Sequence, residues 1–198
     1  MPSDHATPTL VLASSSIYRR QLLERLGLPF ATVNPQVDET RLPNETPAQL
    51  AARLALAKAR AVAHQHPGAL IIGSDQVAAL DGEIFGKPGN LTNAVAQLQR
   101  MSGQEVLFHT ALALRDGRDS REQVDAAITR VRFRALSEAE IRRYLAREPA
   151  FECAGSAKCE GLGIALLDAL SGEDPTALIG LPLIALSRML RAVGVDLP

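Results

Sequence analysis

The sequence has little of what several classes of protein depend on. Among its 198 residues only Cys153 and Cys159 are cysteines, which is too few for a disulfide framework, and no histidine pair accompanies them at zinc-finger spacing. We therefore expect two reduced thiols in a structural role. The formal net charge is -1, so no overall positive field exists to hold a polynucleotide, and we expect no such partner.

Long apolar runs and targeting signals are also missing. The longest apolar runs, such as Leu162–Leu167, are far shorter than the roughly 20 residues that cross a bilayer. Met1–Thr9 lacks the basic and then apolar order of a signal peptide. We therefore expect a cytoplasmic protein with no membrane partner.

The residues that are present describe one mixed α/β domain over residues 1–198. An apolar fraction of 46% with 22% charged residues is enough for a full core, and the chain contains no repeat or linker. Apolar runs, turn residues and helix caps alternate along it. They predict these elements: a strand at Thr9–Ala13, a helix at Tyr18–Leu26, a helix from Pro47 to about His64 with Thr46 as its cap, a strand at Ala69–Gly73, a hairpin at Asp81-Gly82, a helix capped by Thr92 and ending at Met101, strands at Val106–Leu114 and Val124–Phe133, a helix opened by the capping box of Ser137 and Glu140, and a helix at Pro182–Val193.

Hydroxyl and guanidinium groups follow the first predicted strand. Ser14-Ser15-Ser16 comes directly after its apolar residues, and Arg19 and Arg20 lie in the first turn of the next helix. Free amides and the positive end of a helix dipole attract anions, and an arginine can hold two phosphate oxygens at once. The pattern predicts a phosphate site, with an ordinary serine N-cap beside surface arginines as the alternative.

Acidic residues follow two further apolar segments. Asp38-Glu39 comes after Val37, and we predict Asp75 just past the carboxyl end of the buried strand at Ala69–Gly73. Mg²⁺ and Mn²⁺ take hard oxygen ligands and keep several waters, so one or two carboxylates with substrate phosphates suffice. The alternative is that these residues are ordinary loop acids. This interpretation suits Asp38 better than Asp75, because a carboxylate that follows an apolar strand needs a partner.

Two lysines complete the set of charged candidates. Lys58 lies within the second predicted helix, and Lys87 lies in the tight Gly86-Lys87-Pro88 segment. Either can stabilise negative charge that grows on a phosphate. Either lysine taken alone could be an ordinary solvated side chain. The prediction that they contact phosphate therefore depends on their combination with the serines and acids.

Taken together, these blocks resemble the Maf-like nucleoside triphosphate pyrophosphatases over nearly the whole chain. The resemblance implies a mixed α/β fold of the Maf and ITPase kind, with an elongated curved central sheet, helices on its faces, a cleft between two lobes, and a homodimer. The blocks that carry it are Leu12 to Leu23, Val37 to Thr40, Leu54 to Ala59, Ile72 to Val77, Gly86 to Pro88, Ser102-Gly103, and Ala154 to Gly163.

The same resemblance assigns roles to individual residues. It makes Asp75 the acceptor of a proton from the attacking water and places Glu39 with Asp75 at a divalent cation, Mg²⁺ or Mn²⁺. Ile17 stands where the family usually has proline, whereas Ser14, Ser16, Arg19 and Arg20 are all present. The residues implied to contact phosphate are Ser14, Arg19, Lys58 and Lys87.

Three positions distinguish branches of the family. Tyr18, Gln76 and Glu160 resemble the aromatic, glutamine and glutamate of the 7-methyl-GTP branch, although that branch usually has tryptophan at the first position. The dTTP/UTP branch has arginine, threonine and glutamine there. Methylation at N7 makes guanine a cation, which an aromatic face attracts, and Glu160 can accept from the guanine N1 and N2 hydrogens. The alternative is a packing role for Tyr18 and a surface acid at Glu160.

The implied function is hydrolysis of 7-methyl-GTP to 7-methyl-GMP and pyrophosphate, which clears a modified nucleotide. Two other functions stay open. One is a pyrophosphatase for dTTP, UTP or another non-standard nucleotide, and the other is a nucleotide-binding regulator of cell division whose catalysis is vestigial. Against the second, every acid and base that the resemblance requires is present.

Overall fold

A computed structural model of the chain describes residues 9–198. The strands are β1 (Leu10–Ala13), β2 (Phe30–Val33), β3 (Leu70–Leu80), β4 (Glu83–Phe85), β5 (Glu105–Asp116), β6 (Glu122–Phe133) and β7 (Leu167–Ser171). The helices are α1 (Ile17–Glu24), α2 (Pro47–Ala63), α3 (Leu91–Met101), α4 (Glu138–Arg147) and α5 (Leu183–Ala192). Short 3-10 turns lie at Ala154–Ser156, Leu162–Leu166 and Ala177–Ile179.

The strands form one mixed sheet in the order β2-β1-β3-β5-β6-β7, with β4 paired to β3. β1 runs parallel to β2 and β3, whereas every other pair is antiparallel. The sheet is elongated because β3, β5 and β6 each have 11 or 12 residues. The predicted mixed α/β fold with an elongated sheet is confirmed.

One edge of β3 changes partner along its length, and this change creates the site. β1 pairs with Leu70–Gly73, and β4 pairs with residues 78–80. On that side no strand of the described chain pairs with residues 74–77, while β5 stays paired on the other side. The prediction that Asp75 lies past the end of its strand is therefore wrong. Asp75 lies inside β3, which continues because β5 still supplies its hydrogen bonds.

Three apolar clusters form two lobes around this gap. One packs α1 and α5 against one face of the β1-β3-β5 region, and a second packs α2 against the opposite face. The third lies at the far end, where α3 and α4 cover β3, β5 and β6 beyond the gap. α5 contributes Leu183, Leu186, Met189 and Leu190 to the core, so its apolar face packs internally.

Gly73 sets the distance between α2 and the sheet. A Cβ at this position would lie 2.1 Å from the carbonyl oxygen of Ala55 and 2.8 Å from the amide nitrogen of Ala59. Only glycine permits such an approach of two backbones. The close packing brings Lys58, one residue before Ala59, onto the strand that carries Asp75.

Most predicted boundaries are within a few residues of those observed. The caps at Thr46 and Ser137 are confirmed as capping boxes, and Asp81-Gly82 forms the β3–β4 turn with positive φ at both residues. The predicted cap at Thr92 is wrong: Asn90 caps α3 by accepting a hydrogen bond from the Asn93 amide. Asn and Thr both cap helices, so the sequence alone did not separate the two. No helix within residues 9–198 is long and apolar enough to span a membrane.

Candidate active site

A cleft of about 730 Å³ opens at the gap beside β3. This volume is within the range of small-molecule sites. The structure brings all nine predicted site residues to its walls, although the segments that carry them are far apart in sequence. These residues are Ser14, Tyr18, Arg19, Glu39, Lys58, Asp75, Gln76, Lys87 and Glu160.

The centre of the cleft is a lysine held between two carboxylates. The Nζ atom of Lys58 lies 2.6 Å from Oδ1 of Asp75 and 2.6 Å from Oε1 of Glu39. The side chains of Lys58 and Asp75 are 9% and 11% exposed, whereas that of Glu39 is 54% exposed. No donor to the second oxygen of Asp75, Oδ2, lies within residues 9–198, so this oxygen can accept a proton from a bound molecule.

Burial and neighbouring charges move the pKa values of the two acids in opposite directions. Burial raises the pKa of Asp75 above its ordinary value, although Lys58 and Arg19 act against it. Burial also opposes the charge of Glu39, but the hydrogen bond and charge of Lys58 outweigh it and lower the pKa of Glu39. Glu39 is therefore the more firmly ionised acid, and Asp75 is the stronger base of the two.

The loop after β1 forms an anion-binding end of the cleft. Ser16 caps α1 by accepting from the Arg19 amide, and its own amide donates to Oγ of Ser14. In the described chain, no protein acceptor pairs with the amides of Ser15, Ile17 and Tyr18. These amides lie at the positive end of a helix dipole, the arrangement that phosphate oxygens prefer.

Arg19 lies between this loop and the two acids. Its Nε atom donates to the carbonyl oxygen of Gly180 at 2.9 Å, which holds the side chain in the cleft. Burial lowers the pKa of Arg19, while Asp75 and Glu39 raise it; a guanidinium nevertheless stays charged at neutral pH. Arg20 is instead exposed and pairs with Glu24 on the surface of α1, so only the first of the two predicted arginines lines the cleft.

An ion-pair network supports the loop that carries Glu39. Arg53 of α2 binds both carboxylate oxygens of the buried Glu45, at 2.6 and 2.9 Å, and donates to the carbonyl oxygen of Thr40 at 3.0 Å. Asp38 accepts from the Thr40 amide at 2.9 Å and is exposed. Asp38 therefore shapes the loop, while the adjacent Glu39 reaches the cleft.

The base-selecting candidates lie in the same cleft, and one of them also supports its wall. The amide nitrogen of Gln76 donates to the carbonyl oxygens of Ala177 and Leu178 at 3.0 and 2.9 Å. These bonds fix the turn that leads to Gly180. For the side-chain oxygen of Gln76 the structure gives no donor in residues 9–198, so it remains able to bind a ligand.

A lysine that sequence reasoning missed lies beside Tyr18. The Nζ atom of Lys158 is 5.8 Å from the centre of the Tyr18 ring, within the range of a cation–π contact. Glu160, two residues further on, is exposed at the cleft. At this end of the cleft, called the base end, Tyr18 and Glu160 line the wall, and the ammonium group of Lys158 lies against the Tyr18 ring.

Other supporting residues were also missed, since their contacts join distant segments. Gly180 accepts from Arg19, and Arg53 anchors the acidic loop. Gly180 opens the block Gly180 to Ile184, which also resembles the 7-methyl-GTP branch, but no local pattern shows its contact with Arg19 or the role of Arg53, so only the fold reveals these contacts.

The two cysteines are free, as expected. Burial raises the pKa of Cys153, which lines the cleft, and raises that of Cys159 to about 12. Because the thiolate is the reactive form, both thiols stay protonated at neutral pH.

The acids of the cleft fit a divalent cation of the magnesium type. The described residues contain no group of three or more His, Cys, Asp or Glu side chains that could hold a metal ion, and the cleft offers the carboxylate oxygens of Glu39 and Asp75 that Lys58 does not bind. A pair of hard oxygen donors that shares the ion with substrate phosphates and water is the usual protein contribution to a Mg²⁺ site.

The cleft combines a cationic end with one buried and one exposed acid, which defines a site for an anionic small molecule. The profile of the family described as Maf-like protein matches residues 9–193. The chain belongs to this family.

Several curated relatives share one name. The 7-methyl-GTP pyrophosphatase of Aromatoleum aromaticum is 64% identical, over 96% of this chain and 97% of the relative. That of Burkholderia thailandensis is 60% identical, over 96% of this chain and 90% of the relative. That of Albidiferax ferrireducens is 56% identical, over 94% of this chain and 94% of the relative. A solved structure of the Staphylococcus aureus Ham1 protein aligns with a TM-score of 0.46 and 16% identity over 63% of this chain and 71% of that one.

Proposed function

We propose that this protein hydrolyses 7-methyl-GTP to 7-methyl-GMP and pyrophosphate and so clears a modified nucleotide. One observation carries the proposal: a single cleft joins the anion-binding loop, the Lys58–carboxylate centre and the three base-selecting positions. The curated relatives that match nearly the whole chain bear the name of this activity.

In the proposed mechanism, Asp75 accepts a proton from water as the water oxygen attacks the α-phosphorus. The bond from this phosphorus to the bridging oxygen breaks, and pyrophosphate leaves with the electron pair. The raised pKa of Asp75 supports its role, since a base with a pKa closer to neutrality is a stronger proton acceptor. Arg19, Lys58 and Lys87 neutralise the charge on the phosphates.

Lys58 has a second role in this mechanism. Its ammonium group holds Oδ1 of Asp75 and Oε1 of Glu39, so the carboxylate of Asp75 is oriented before water arrives. A general base works only when it lies within hydrogen-bond reach of the proton it removes.

Glu39 and Asp75 are the residues that would hold Mg²⁺ or Mn²⁺. The bound ion supplies charge neutralisation and orientation of the phosphate oxygens. Glu39 suits this role because its lowered pKa keeps it ionised.

At the base end, Tyr18 offers its ring to the cationic methylguanine, and Glu160 accepts from the N1 and N2 hydrogens. Guanine without the methyl group lacks the positive charge, and a pyrimidine lacks the paired hydrogens. An aromatic face attracts a stacked cation by about 0.5 to 2 kcal/mol, which favours the methylated base.

The test is product analysis in H₂¹⁸O with purified protein and Mg²⁺ or Mn²⁺. We expect pyrophosphate and ¹⁸O-labelled 7-methyl-GMP from the wild type, because water attacks the α-phosphorus. Asp75→Asn should lower kcat by at least about 100-fold, the usual contribution of a general base. Label in the pyrophosphate, or a variant that keeps a tenth of the activity, would exclude the mechanism.

The same experiment separates hydrolysis from a binding role. With 7-methyl-GTP, GTP, dTTP and UTP as substrates, a protein that binds them and releases pyrophosphate from none would be a nucleotide-binding regulator. The open Oδ2 atom of Asp75 and the three cations that line the same cleft favour catalysis instead.

We also propose a cytoplasmic homodimer, on the strength of the family membership alone. Light scattering at micromolar concentration should give twice the mass of the chain. A monomeric mass would contradict the dimer and leave the proposed reaction unaffected.

A further inference from the structure

Two neighbouring loops border the cleft, and apart from short 3-10 turns in the second they contain no helix or strand. The phosphate-end loop, residues 86–90, carries Lys87 and joins β4 to α3. The base-end loop, residues 151–163, carries Cys153 and Glu160. Lys87 and Glu160 are both exposed in the described structure, so the surrounding loop backbone must set their positions.

Gln97 of α3 binds both loops through one side-chain amide. Its nitrogen donates to the carbonyl oxygen of Gly86 at 3.1 Å. Its oxygen accepts from the hydroxyl of Ser156 at 2.6 Å. Gln97 itself does not line the cleft, so it can act on a bound nucleotide only through these loops.

The Ser156 end of this bridge has a demanding conformation. Ser156 is 0% exposed and has a φ of 56°, which is unusual for a residue with a side chain. The preceding Gly155 has a φ of 71°, and a Cβ there would lie 3.1 Å from Cζ of Phe108. A buried hydroxyl without an acceptor is costly, so the acceptor supplied by Gln97 stabilises this turn.

Further hydrogen bonds also hold each loop. The Gly89 amide donates to the carbonyl oxygen of Phe151 at 3.0 Å, which is a second link between the loops. The hydroxyl of Tyr144 accepts from the Lys158 amide at 3.0 Å, and Glu148 accepts from the Gly163 amide at 3.3 Å. These latter bonds fix the base-end loop to α4 alone.

We propose that Gln97 is a positioning residue that couples the base end of the cleft to its phosphate end. It holds Glu160 and Lys87 at a fixed separation, so a base that fits Glu160 presents its phosphates to Lys87. This inference rests on the proposed function for its substrate. The bridge itself is tested separately.

The first experiment compares Gln97→Leu with a matched control, Gln99→Leu. Gln99 lies on the same helix and donates to Glu138 at 3.3 Å, away from the cleft. Loss of two hydrogen bonds predicts a fall in kcat/KM for 7-methyl-GTP of about tenfold in Gln97→Leu. The preference over GTP should fall as well, whereas Gln99→Leu should change neither by more than about twofold.

Two further variants break one half of the bridge each. Gln97→Glu keeps an acceptor for Ser156 and loses the donor to Gly86, whereas Ser156→Ala keeps the bond to Gly86 and loses the other. Because the bridge couples the two loops, each variant should lower both kcat for 7-methyl-GTP and the preference over GTP, by less than Gln97→Leu does. An effect of Gln97→Glu on kcat alone together with an effect of Ser156→Ala on preference alone would show that the two ends act separately and would contradict the coupling.

Hydrogen exchange of the free protein tests the bridge without substrate. In Ser156→Ala, we expect faster exchange in residues 86–90 as well as in residues 151–163, because the loops are coupled through Gln97. Exchange that speeds up in residues 151–163 alone would overturn the coupling, as would unchanged kinetics in Gln97→Leu. Failure of the proposed function would instead appear in the wild type, as a preference for another triphosphate.

Discussion

At the scale of residues, the centre of the site is a lysine that serves two acids. Lys58 was predicted from sequence as a phosphate contact, and in the structure its Nζ atom pairs with Asp75 and Glu39. Both contacts are compatible with a phosphate nearby, since an ammonium group has three donors. The nine candidate residues were predictable because each belongs to a short block. The pairing was not, because it depends on how α2 packs on β3.

The first prediction concerns the pKa of Asp75 in the metal-free protein. Burial raises this pKa above the ordinary value, and the ammonium group of Lys58 counteracts part of that increase. Lys58→Met should therefore raise the pKa of Asp75 further, because it removes a charge that stabilises the carboxylate. Titration of the labelled Asp75 carboxyl by ¹³C NMR measures both values.

Two outcomes of this titration would contradict the prediction for the pKa of Asp75. A wild-type pKa at or below about 3.9, the value for an unperturbed aspartate, would contradict the effect of burial. A lower pKa in Lys58→Met than in the wild type would contradict the contact between the two side chains. Arg118, which is exposed and pairs with Asp116, provides a control variant, Arg118→Met, that should leave Asp75 unchanged.

A second prediction concerns the two charges at the base end. Glu160→Gln should reduce the preference for 7-methyl-GTP over GTP by about tenfold, because it removes a negative charge that attracts the cationic methylguanine more strongly than neutral guanine. Lys158→Met should increase that preference a few-fold, because Lys158 lies 5.8 Å from the Tyr18 ring centre and repels a cationic base there. The ratio of kcat/KM values measures both, and changes of the same sign in the two variants would contradict the proposed recognition.

At the scale of elements, the site depends on how β3 exchanges one partner strand for another. The apolar run before Gly73 predicted the buried strand, and the Asp81-Gly82 turn predicted its hairpin. The continuation of the strand through Asp75 was missed, because periodicity does not reveal pairing with β5, which lies more than 30 residues away. Strands β2 and β7 were missed as well; both are short and largely exposed.

A third prediction tests the close approach of α2 to β3. Gly73→Ala should lower the free energy of unfolding by about 2 kcal/mol or more, because its Cβ would meet the α2 backbone. It should also lower kcat, since α2 carries Lys58. Urea denaturation measures the first effect, and pyrophosphate release measures the second.

Gly86→Ala is the matched control for stability. A Cβ at Gly86 would have no atom within 4 Å, so the free energy of unfolding should change little. Equal destabilisation of the two variants would mean that the approach of α2 to Gly73 does not constrain the fold.

At the scale of the whole molecule, positive side chains gather in one cleft although the chain as a whole is close to neutral. The net charge of -1 excludes a general attraction to anions, yet Arg19, Lys58 and Lys87 line one cleft between the two lobes. Composition could predict only the absence of a general attraction to anions. Predicting the cationic cleft required the order of the motifs along the chain, and the resemblance carried by that order predicted both the fold and the family.

The central claim is that one cleft selects 7-methyl-GTP at its base end and hydrolyses it at its phosphate end. The most direct measurement is kcat/KM of the wild type for 7-methyl-GTP, GTP, dTTP and UTP under identical conditions with Mg²⁺ or Mn²⁺. The account predicts that 7-methyl-GTP exceeds GTP by about tenfold or more, in line with a cation–π contact of up to about 2 kcal/mol. Higher values for dTTP or UTP than for 7-methyl-GTP would contradict it.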